Sequence, residues 1–366
     1  MRLSVQREAL LRPLQQVVGV VERRQTLPVL ANVLVRVDGE SASFTTTDLE
    51  VELSARIAID SGEAGEVTVP ARKFFDIVRA LPDGARIELT QSGERVQLKA
   101  GRSKFTLATL PASEFPATDT GEVVDRIELD QGSFKRVLER SAFAMAVQDV
   151  RYYLNGLLLE IRTGGLRAVA TDGHRLALAE TPGAGNGEVR RQVIVPRKGV
   201  LELQRLLQGG EAPLELAFAK NHVRARLSDS VVCSKLIDGR FPDYEAVIPI
   251  AADKIILVNR DEVRQALSRV AILSNEKYRG VKLEVSPGVL RVAAHNPEQE
   301  EAVEEIEAET TVDQLNVGFN VNYLLDALAA VDGERVRIRL RDGASSALVE
   351  SLEDETTRHV VMPLRL

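Results

Sequence analysis

The sequence predicts an α+β protein that consists of three similar domains. Two observations lead to this fold class. Short motifs recur along the 366 residues at spacings of 124 to 126, and each third of the chain combines two amphipathic helices with strands of alternating polarity. A period of that length is the size of a domain and is too long for a solenoid unit. Domains that each combine helices with antiparallel strands are typical of the α+β class.

Two of the recurring motifs mark turns and helix starts. The first joins Thr or His to Asp or Asn, and its copies lie 124 residues apart, at Thr47-Asp48, Thr171-Asp172 and His295-Asn296. A repeated Thr-Asp pair indicates a turn in which the carboxylate accepts backbone N–H bonds. The second motif is Val-Pro followed by basic residues, and its two copies lie 126 residues apart, at Val69-Pro70 and Val195-Pro196.

A third motif gives the domain bounds. Phe115-Pro116 returns 126 residues later as Phe241-Pro242. The first copy opens a polar, turn-rich segment at residues 116–125, and a second junction follows the other copy at residues 249–254; both suit linkers. We therefore predict domains over residues 1–120, 126–250 and 253–366.

Six amphipathic helices are predicted, two in each third. Their apolar residues recur at intervals of three and four, which places them on one helix face. In the first third these are Leu10, Leu14 and Val17, then Phe74, Val78 and Leu81. The helices are expected over residues 7–18, 71–81, 133–144, 197–207, 260–271 and 320–331. Between them, residues 51–59 and 335–341 alternate in polarity and are predicted to be strands.

The charge is distributed unevenly between helices and the rest of the chain. The protein has 47 basic and 54 acidic residues, for a net charge of −7. The six predicted helices carry +1, +2, +2, +2, +1 and −1, or +7 together, which leaves −14 for the sheets and loops. A uniformly basic coat for nucleic acid is excluded. If the helices share one surface, however, that surface would attract phosphate without reading bases.

Composition argues against catalysis, cofactors and secretion. The single cysteine, Cys233, cannot form an intrachain disulfide and is expected to be a buried, inert thiol. The four histidines lack metal-ligand spacing, and no phosphate-binding loop or dinucleotide motif is present. We expect no catalytic residues, no metal and no cofactor. With no long apolar segment and a charged N-terminus, a cytoplasmic location is expected.

One cluster leaves an enzymatic alternative open. Asp172 and His174 are two residues apart and could serve acid–base chemistry. The equivalent turn at Thr47-Asp48 has no histidine, which favours a structural role for the aspartate.

Longer motifs resemble one known family. They are Gln148–Gly156, Ala170–Leu176, Val195–Gly199, Asp238–Tyr244 and Val360–Leu366. In this order and at this chain length, they resemble the bacterial DNA polymerase III beta subunit, the replication sliding clamp. The resemblance covers the chain from Met1 to Leu366. It implies three clamp domains per chain and a head-to-tail homodimer that forms a closed ring, with helices lining the pore and antiparallel sheets outside.

The resemblance implies three sets of site residues. The first set would face or border the pore and contact double-stranded DNA: Arg24, Arg72, Lys73, Gln148, Tyr152, Tyr153, Arg197 and Lys198. For one of the two tyrosines, packing in the core is the competing interpretation.

The second set would form the dimer interface. Here the strand Gly101–Leu107 of one chain would pair with the stretch Glu298–Glu304 of the other. Apolar residues would meet at the joint, and basic residues would face acidic ones. The set comprises Arg102, Lys104, Phe105, Leu107, Ile272, Leu273, Glu298, Glu301 and Glu304.

The third set would form a partner-peptide pocket between the second and third domains. It comprises Leu154, Thr171, Gly173, His174, Arg175, Leu176, Pro242, Val247, Asn320, Tyr323, Ser346, Val360, Met362 and Leu364. The family often has Met where Leu364 stands here. The implied partners are the clamp loader complex, the replicative polymerase alpha subunit, other polymerases and repair proteins that carry clamp-binding peptides. Besides the enzyme, a multidomain scaffold that never encircles DNA remains the alternative.

Overall fold

The threefold repeat is visible in the order of the elements. The computed structural model describes residues 1–22, 27–119, 121–184 and 187–365. Each third contains one strand, a helix, four or five strands, a second helix and three further strands. The α+β class and the threefold repeat are therefore confirmed.

The first third contains β1 to β9 with α1 and α2. Their bounds are β1 Arg2–Gln6, α1 Arg7–Val17, β2 Asn32–Asp38, β3 Ser41–Thr47, β4 Val51–Ala58, β5 Ser61–Glu63, β6 Gly65–Pro70, α2 Ala71–Ala80, β7 Arg86–Ser92, β8 Arg95–Ala100 and β9 Ser103–Ala108.

The second third contains β10 to β17 with α3 and α4. Their bounds are β10 Asp125–Asp130, α3 Gln131–Ser141, β11 Gly156–Arg162, β12 Gly165–Thr171, β13 Arg175–Glu180, β14 Val189–Pro196, α4 Arg197–Leu206, β15 Pro213–Phe218, β16 His222–Arg226 and β17 Ser230–Lys235.

The last third contains β18 to β26 with α5 and α6. Their bounds are β18 Lys254–Asn259, α5 Arg260–Val270, β19 Gly280–Ser286, β20 Val289–His295, β21 Glu301–Glu307, β22 Glu309–Thr310, β23 Leu315–Asn320, α6 Val321–Ala330, β24 Arg335–Leu340, β25 Ala347–Ser351 and β26 Thr357–Val361. Short 3-10 turns lie at Pro28–Ala31, Ala112–Glu114, Ala142–Ala144, Tyr152–Leu154, Glu245–Val247 and Ala271–Leu273.

The chain forms two compact units, each with two antiparallel sheets. The first unit comprises residues 1–132 and 198–236. It has a five-stranded sheet in the order β5-β1-β7-β8-β9 and an eight-stranded sheet in the order β10-β15-β16-β17-β4-β3-β2-β6. In the second sheet, β17 pairs with β4 from Ser230↔Ala55 to Ser234↔Val51, so that strands of the first and second thirds share one ladder.

The second unit comprises residues 133–197 and 237–366. Its nine-stranded sheet runs β14-β11-β12-β13-β26-β25-β24-β18-β22, and its four-stranded sheet runs β21-β20-β19-β23. The pairing of β13 with β26 joins the second and third thirds, from Arg175↔Val361 to Ala179↔Thr357. The middle third thus contributes to both units, although it is one repeat in sequence.

The predicted helices form because their apolar faces are buried. All six lie within a few residues of the expected bounds, and the predicted apolar positions of α1 and α2 are buried. Five of the 10 phenylalanines are fully buried, at Phe44, Phe74, Phe134, Phe218 and Phe319. With so few aromatic residues, each such ring supplies a large part of its local core. Truncation of one to Ala is expected to cost about 3–5 kcal/mol.

The repeated Thr-Asp motif is a turn, as predicted. In the first copy, Asp48 Oδ1 accepts the backbone N–H of Glu50 at 2.9 Å and of Val51 at 2.7 Å. In the second copy, Asp172 Oδ1 accepts the N–H of His174 at 2.9 Å and of Arg175 at 3.0 Å. The shared bonds explain why Thr and Asp recur at this interval.

The two copies differ at the residue that follows the aspartate. Leu49 has φ 77°, whereas Gly173 has φ 89°. This left-handed conformation strains a leucine but not a glycine. At the second position a Cβ atom would come within 2.9 Å of Arg151 Nη2, so the guanidinium would have to shift, and the positive φ is the stronger reason for glycine there.

Cys233 is buried on β17, as expected for a structural thiol. Burial raises the pKa of its thiol to about 11, and the nearby charge of Glu52 adds to this effect. Cys233 therefore stays protonated and unreactive at neutral pH.

His359 is a buried histidine on β26 whose two ring nitrogens have no hydrogen-bond partner among the described residues. Its ring lies 5.7 Å from that of Phe143, measured between centroids. Burial lowers the pKa of His359 to about 3, and the positive charge of Arg140 contributes. The folded protein thus keeps this imidazole neutral over the whole mildly acidic range.

His359 should make the protein less stable as the pH falls below its unfolded-state pKa. Between pH 6.5 and pH 5 the imidazole of His359 binds a proton in the unfolded chain but not in the folded chain. This difference lowers the free energy of unfolding by about 2 kcal/mol. We expect His359→Phe to remove this slope and to be at least as stable at pH 7. Denaturant unfolding at several pH values measures it, with the exposed His295→Gln as control. Equal slopes in the wild type and His359→Phe would contradict the expectation.

Candidate DNA-contact and partner-binding surfaces

The residues predicted for the partner pocket meet where β13 pairs with β26. Opposite each other in this ladder are Leu176 and Val360. The chain continues the pairing beyond β26, because Met362 N–H donates to the carbonyl oxygen of His174 at 2.9 Å. Further along, Leu364 N–H donates to the carbonyl oxygen of Gly318 at 2.8 Å. These backbone hydrogen bonds therefore hold the end of the described chain against His174 of the second third and Gly318 of the last third.

An apolar floor underlies this junction. Leu154, Leu176 and Val360 are buried and belong to one cluster with Phe241 and Tyr244. On the surface above, Pro242, Val247 and Met362 are exposed. Apolar groups at the surface over a packed floor suit the binding of a short apolar peptide segment.

Arg175 is fixed by polar and aromatic contacts. Its guanidinium binds Asp172 at 3.1 Å, the carbonyl oxygen of Phe143 at 2.9 Å, and Asp326. It also lies over the ring of Tyr323, 4.6 Å from the centroid. The ring of His174 stands 6.5 Å from that of Tyr323. Arg175 therefore connects the turn at Asp172 to α6. The sequence did not indicate Phe143 or Asp326 as its partners.

A large cavity lies at the C-terminal end of this region. It has a volume of about 990 Å³ and includes Ser346, Met362 and Leu364 from the predicted set, together with Pro363 and Ala344. Asn320, predicted for the same set, has a structural role at the start of α6. Its Oδ1 accepts the N–H of Asn322 at 3.0 Å, and its amide donates to the carbonyl oxygen of Tyr278 at 3.3 Å.

The segment 237–250, which follows β17, is anchored by a buried polar network that sequence reasoning missed. Tyr244 is only 5% exposed, and its hydroxyl donates to Glu160 Oε2 at 2.8 Å. Arg167 donates to the same hydroxyl at 3.1 Å and to Glu180 at 2.8 Å. Glu160 also accepts bonds from Arg162 at 2.7 and 3.0 Å. These buried charges are compensated, as buried charges must be.

The network also controls the ionisation of Tyr244. Burial raises its pKa to about 12, and the hydrogen bond to the Glu160 carboxylate adds to this, although Arg167 opposes it. The hydroxyl therefore remains a donor. Because Pro242 and Val247 flank Tyr244 in the chain, this anchor sets the position of the two exposed apolar residues on this side of the floor.

Four residues of the predicted DNA set lie in or beside the loop 145–155. Gln148 and Tyr152 are exposed, and Gln148 has φ 55°. Tyr153 packs partly against the apolar cluster, with its ring nearly perpendicular to that of Tyr152. Of the two tyrosines, Tyr153 thus has the packing role. Arg197 Nη1 donates to the carbonyl oxygen of Met145 at 3.4 Å, which brings its guanidinium to the same loop.

Hydrogen bonds within the loop 145–155 fix its conformation. Asp149 N–H donates to Asn155 Oδ1 at 2.9 Å, and the Asn155 amide donates back to the carbonyl oxygen of Asp149 at 2.9 Å. Hydrogen bonds from the side chain and backbone of Arg151 lower the pKa of Asp149 to about 2. Arg151 compensates the carboxylate, which lessens its repulsion toward a phosphate.

Three further members of the DNA set lie in the first unit. Arg72 Nη2 donates to the carbonyl oxygen of Val21 at 2.5 Å, and Lys73 is exposed on α2. Lys198 binds Glu22 at 2.5 Å, Asp48, and the carbonyl oxygen of Val20 at 3.5 Å. Arg72 and Lys198 therefore both hold residues 20–22. Arg24 lies outside the described residues.

Lys198 is less available for phosphate than the sequence suggested. Burial alone would lower its pKa, but the hydrogen bonds to Asp48 and Glu22 outweigh burial and raise the pKa. The ammonium is charged but already has two carboxylate partners. A phosphate would have to displace one of them.

The strands predicted to pair between chains are both sheet edges. β9 is the last strand of the five-stranded sheet, and β21 is the first strand of the four-stranded sheet. Their bounds differ from expectation. Gly101 and Arg102 lie in a turn before β9, because Gly101 has φ 57°, and Glu298 to Glu300 precede β21 in a turn where Gln299 has φ 66°.

The apolar residues of the predicted interface differ in exposure. Ile272 is 76% exposed and Phe105 is half-buried, but Leu107 is only 8% exposed because it packs within its own unit. Among the charged members, Arg102, Lys104, Glu298 and Glu301 are exposed. Glu304 is partly buried and binds Arg269 at 2.5 Å.

Comparison with known proteins shows the family. Models of the N-terminal, central and C-terminal domains of the DNA polymerase III beta subunit match residues 1–119, 128–243 and 245–365. The chain is 51% identical over 367 residues to the beta sliding clamp of Pseudomonas aeruginosa and 49% identical to that of Escherichia coli K12, with 100% of each chain covered.

The chain belongs to the DNA polymerase III beta subunit family, the beta sliding clamps. A crystal structure of the family member from P. aeruginosa superposes with a TM-score of 0.96 at 51% identity, over 100% of both chains. The resemblance inferred from the sequence motifs is thereby confirmed.

Membership in the clamp family gives the function in its general form. The chain is a DNA sliding clamp, a non-catalytic processivity subunit of DNA polymerase III, with DNA and polymerase as its partners. Asp172 and His174, the pair that suggested an enzyme, are accounted for as parts of a turn. No helix in the described ranges is long and apolar enough to cross a bilayer.

Loss of the Tyr244 hydroxyl should loosen the segment that carries Pro242 and Val247. We expect Tyr244→Phe to lower the free energy of unfolding by about 1–3 kcal/mol, because Glu160 loses a buried donor. Faster backbone hydrogen exchange at residues 245–248 should accompany this loss. Tyr323→Phe is the matched control, since the structure shows no hydrogen bond for that hydroxyl among the described residues. Unchanged exchange in Tyr244→Phe would show that the hydroxyl is not the anchor.

Proposed function

We propose that two copies of this chain close head to tail into a ring around double-stranded DNA. The observation that carries this proposal is the charge of the two open edges. β21 presents Glu301, Glu304, Glu305 and Glu307, whereas Lys104 on β9 and Arg102 just before it are basic. An edge strand has unpaired N–H and C=O groups that another strand can satisfy. Opposite charges favour β9 of one copy against β21 of the next.

This pairing is heterologous and closes only if the rotation closes. Three repeats per chain would give six in the ring, with the basic helices toward DNA. Arg24, Arg72, Lys73, Gln148, Tyr152, Arg197 and Lys198 would supply weak, sequence-independent contacts to phosphate. Retention on DNA would then depend on topology, so that weak contacts permit sliding.

The junction of β13 and β26 is proposed as the partner-peptide pocket. The apolar floor, the exposed Pro242, Val247 and Met362, and the adjoining cavity of 990 Å³ support it. The polymerase alpha subunit, other polymerases, the clamp loader and repair proteins would bind there in turn. A replication protein of this kind acts at the chromosome, so we also propose a bacterial cytoplasmic location.

Topological retention predicts a difference between circular and linear DNA. Clamp loaded on a nicked circular plasmid should stay bound through gel filtration, and cutting the plasmid once should release it, because a ring slides off an end. Equal retention on both templates would instead favour the non-encircling scaffold. Light scattering should give the mass of a dimer.

The basic residues should tune this retention through salt. Alanine at Arg72, Lys73, Arg197 and Lys198 should reduce the slope of log affinity against log salt by up to about one for each phosphate interaction that the substitutions remove. The matched control removes the same charge from exposed residues outside the helices, at Arg36, Arg126, Lys220 and Arg226. If the control changes the slope equally, these four residues do not bind the DNA.

The C-terminal segment should separate partner binding from ring formation. Deletion of Met362 to Leu366 should abolish binding of a labelled alpha-subunit peptide while the dimer mass is unchanged. Deletion also removes two backbone hydrogen bonds, so the double variant Met362→Ser, Leu364→Ser perturbs the backbone less. It should lower the affinity for the peptide at least tenfold. Binding that survives both changes would place the pocket elsewhere.

A further inference from the structure

A second cavity adjoins the one at Met362. It has a volume of about 400 Å³ and lies among the end of the described chain, the loop before β19 and the turn after β20. Its lining is Asn275, Tyr278, Gly280, His295, Asn296, Pro297, Leu364 and Arg365. Three of these, His295, Leu364 and Arg365, also line the larger cavity. The two cavities are therefore adjacent and are called the groove below, and the smaller one lies beside the end that holds Met362 and Leu364 of the predicted pocket.

The lining of this groove contains no carboxylate. Neither cavity includes an Asp or Glu among its lining residues, although the carboxylates of Glu284 and Glu300 bind the lining residues Lys282 and Asn296. The charged groups of the lining are Lys282 and Arg365, both basic. Lys282 is compensated by Glu284 at 2.6 Å, whereas Arg365 has no ion-pair partner within the described chain.

A further cation lies at the aromatic wall of the groove. The ammonium of Lys277 is 5.2 Å from the ring centroid of Tyr278, whose side chain is 54% exposed. The groove thus combines an exposed aromatic ring with basic groups on an otherwise acidic protein. Electrostatic complementarity favours an anionic ligand over a neutral or cationic one.

The walls of the groove are held in place by hydrogen bonds. Asn275 Oδ1 accepts the N–H of Lys277 at 2.9 Å and of Tyr278 at 3.2 Å. The Tyr278 carbonyl oxygen accepts the amide of Asn320, which is itself a residue of the predicted pocket. On the opposite side, the Asn296 amide donates to Glu300 at 2.6 Å. A groove fixed before binding spares its ligand part of the cost of ordering.

We propose that this groove binds an acidic stretch that flanks the clamp-binding motif of a partner protein. The inference rests on the proposed peptide pocket, because continuity with Met362 and Leu364 is what brings a partner chain to the groove. Arg365 would attract the acidic side chains, and Tyr278 would pack against their stems. Partners with acidic flanks would then outcompete partners with neutral ones for the same clamp.

Labelled peptides that differ only in the flank test this proposal on the full-length protein. Each carries the clamp-binding segment of a polymerase alpha subunit, extended at one end by Asp-Glu-Asp-Glu, Ser-Gly-Ser-Gly or Lys-Ser-Lys-Ser, and both ends are tried. In fluorescence polarisation at low salt, the acidic flank at one end should tighten binding about threefold to tenfold over the neutral flank. Near 0.5 M salt the gain should disappear, since partly exposed ion pairs are screened.

Substitutions in the groove test whether it is the source of the preference for an acidic flank. Arg365→Glu should abolish the preference for the acidic flank, and Tyr278→Ser should reduce it, with each preference measured as the ratio of affinities for the flanked and unflanked peptides on the same variant. Lys220→Glu makes the same change in net charge on an exposed turn of the first unit and should leave the preference intact.

The outcomes separate the two proposals. If the unextended peptide binds but flank charge has no effect at either end, the groove proposal is overturned and the pocket stands. If the preference survives Arg365→Glu, or falls equally in Lys220→Glu, the groove is not its source and the proposal is overturned. If no peptide binds, the pocket itself is wrong and the groove proposal falls with it.

Discussion

The pairing of β13 with β26 is the constraint on which the proposed partner-binding surface depends. This single ladder makes one nine-stranded sheet from two repeats and places Leu176 beside Val360. It brings the turn at residues 171–174 to the end of the described chain, where the His174 carbonyl binds Met362 N–H. Residues far apart in the sequence thereby share one surface. The edge strand β13 of the second third thus pairs with β26 of the last third, and the proposed pocket lies at this junction.

Much of the fold could be predicted because it depends on local periodicity. The apolar residues at intervals of three and four gave all six helices, and the repeated Thr-Asp pair gave its turn, since both patterns act over a few residues. The family resemblance gave the sets of site residues. What could not be predicted were pairings between distant residues, such as Tyr244 with Glu160 or Arg175 with Asp326. No local pattern marks them, because each joins segments that lie far apart in the sequence.

The net charge of a helix, counted from its sequence, does not show how much of that charge is free to bind a phosphate. Lys198 contributes to the basic total of α4, yet Asp48 and Glu22 already hold its ammonium. Arg72 is also engaged, by the backbone of Val21, although its charge is not cancelled. The sequence can thus indicate the sign of the charge on a surface. The strength of a single contact can be judged only when the partners of that side chain are known. Weak individual contacts fit a protein that must move along DNA.

The acidic edge of β21 has a consequence for which ends can join. Two β21 strands from different copies, set side by side, would place glutamates against glutamates, and like charges directly opposite each other destabilise a ladder. Two β9 edges would likewise bring their basic residues together. Repulsion between identical edges would thus disfavour back-to-back pairing and favour the head-to-tail order of the proposed ring.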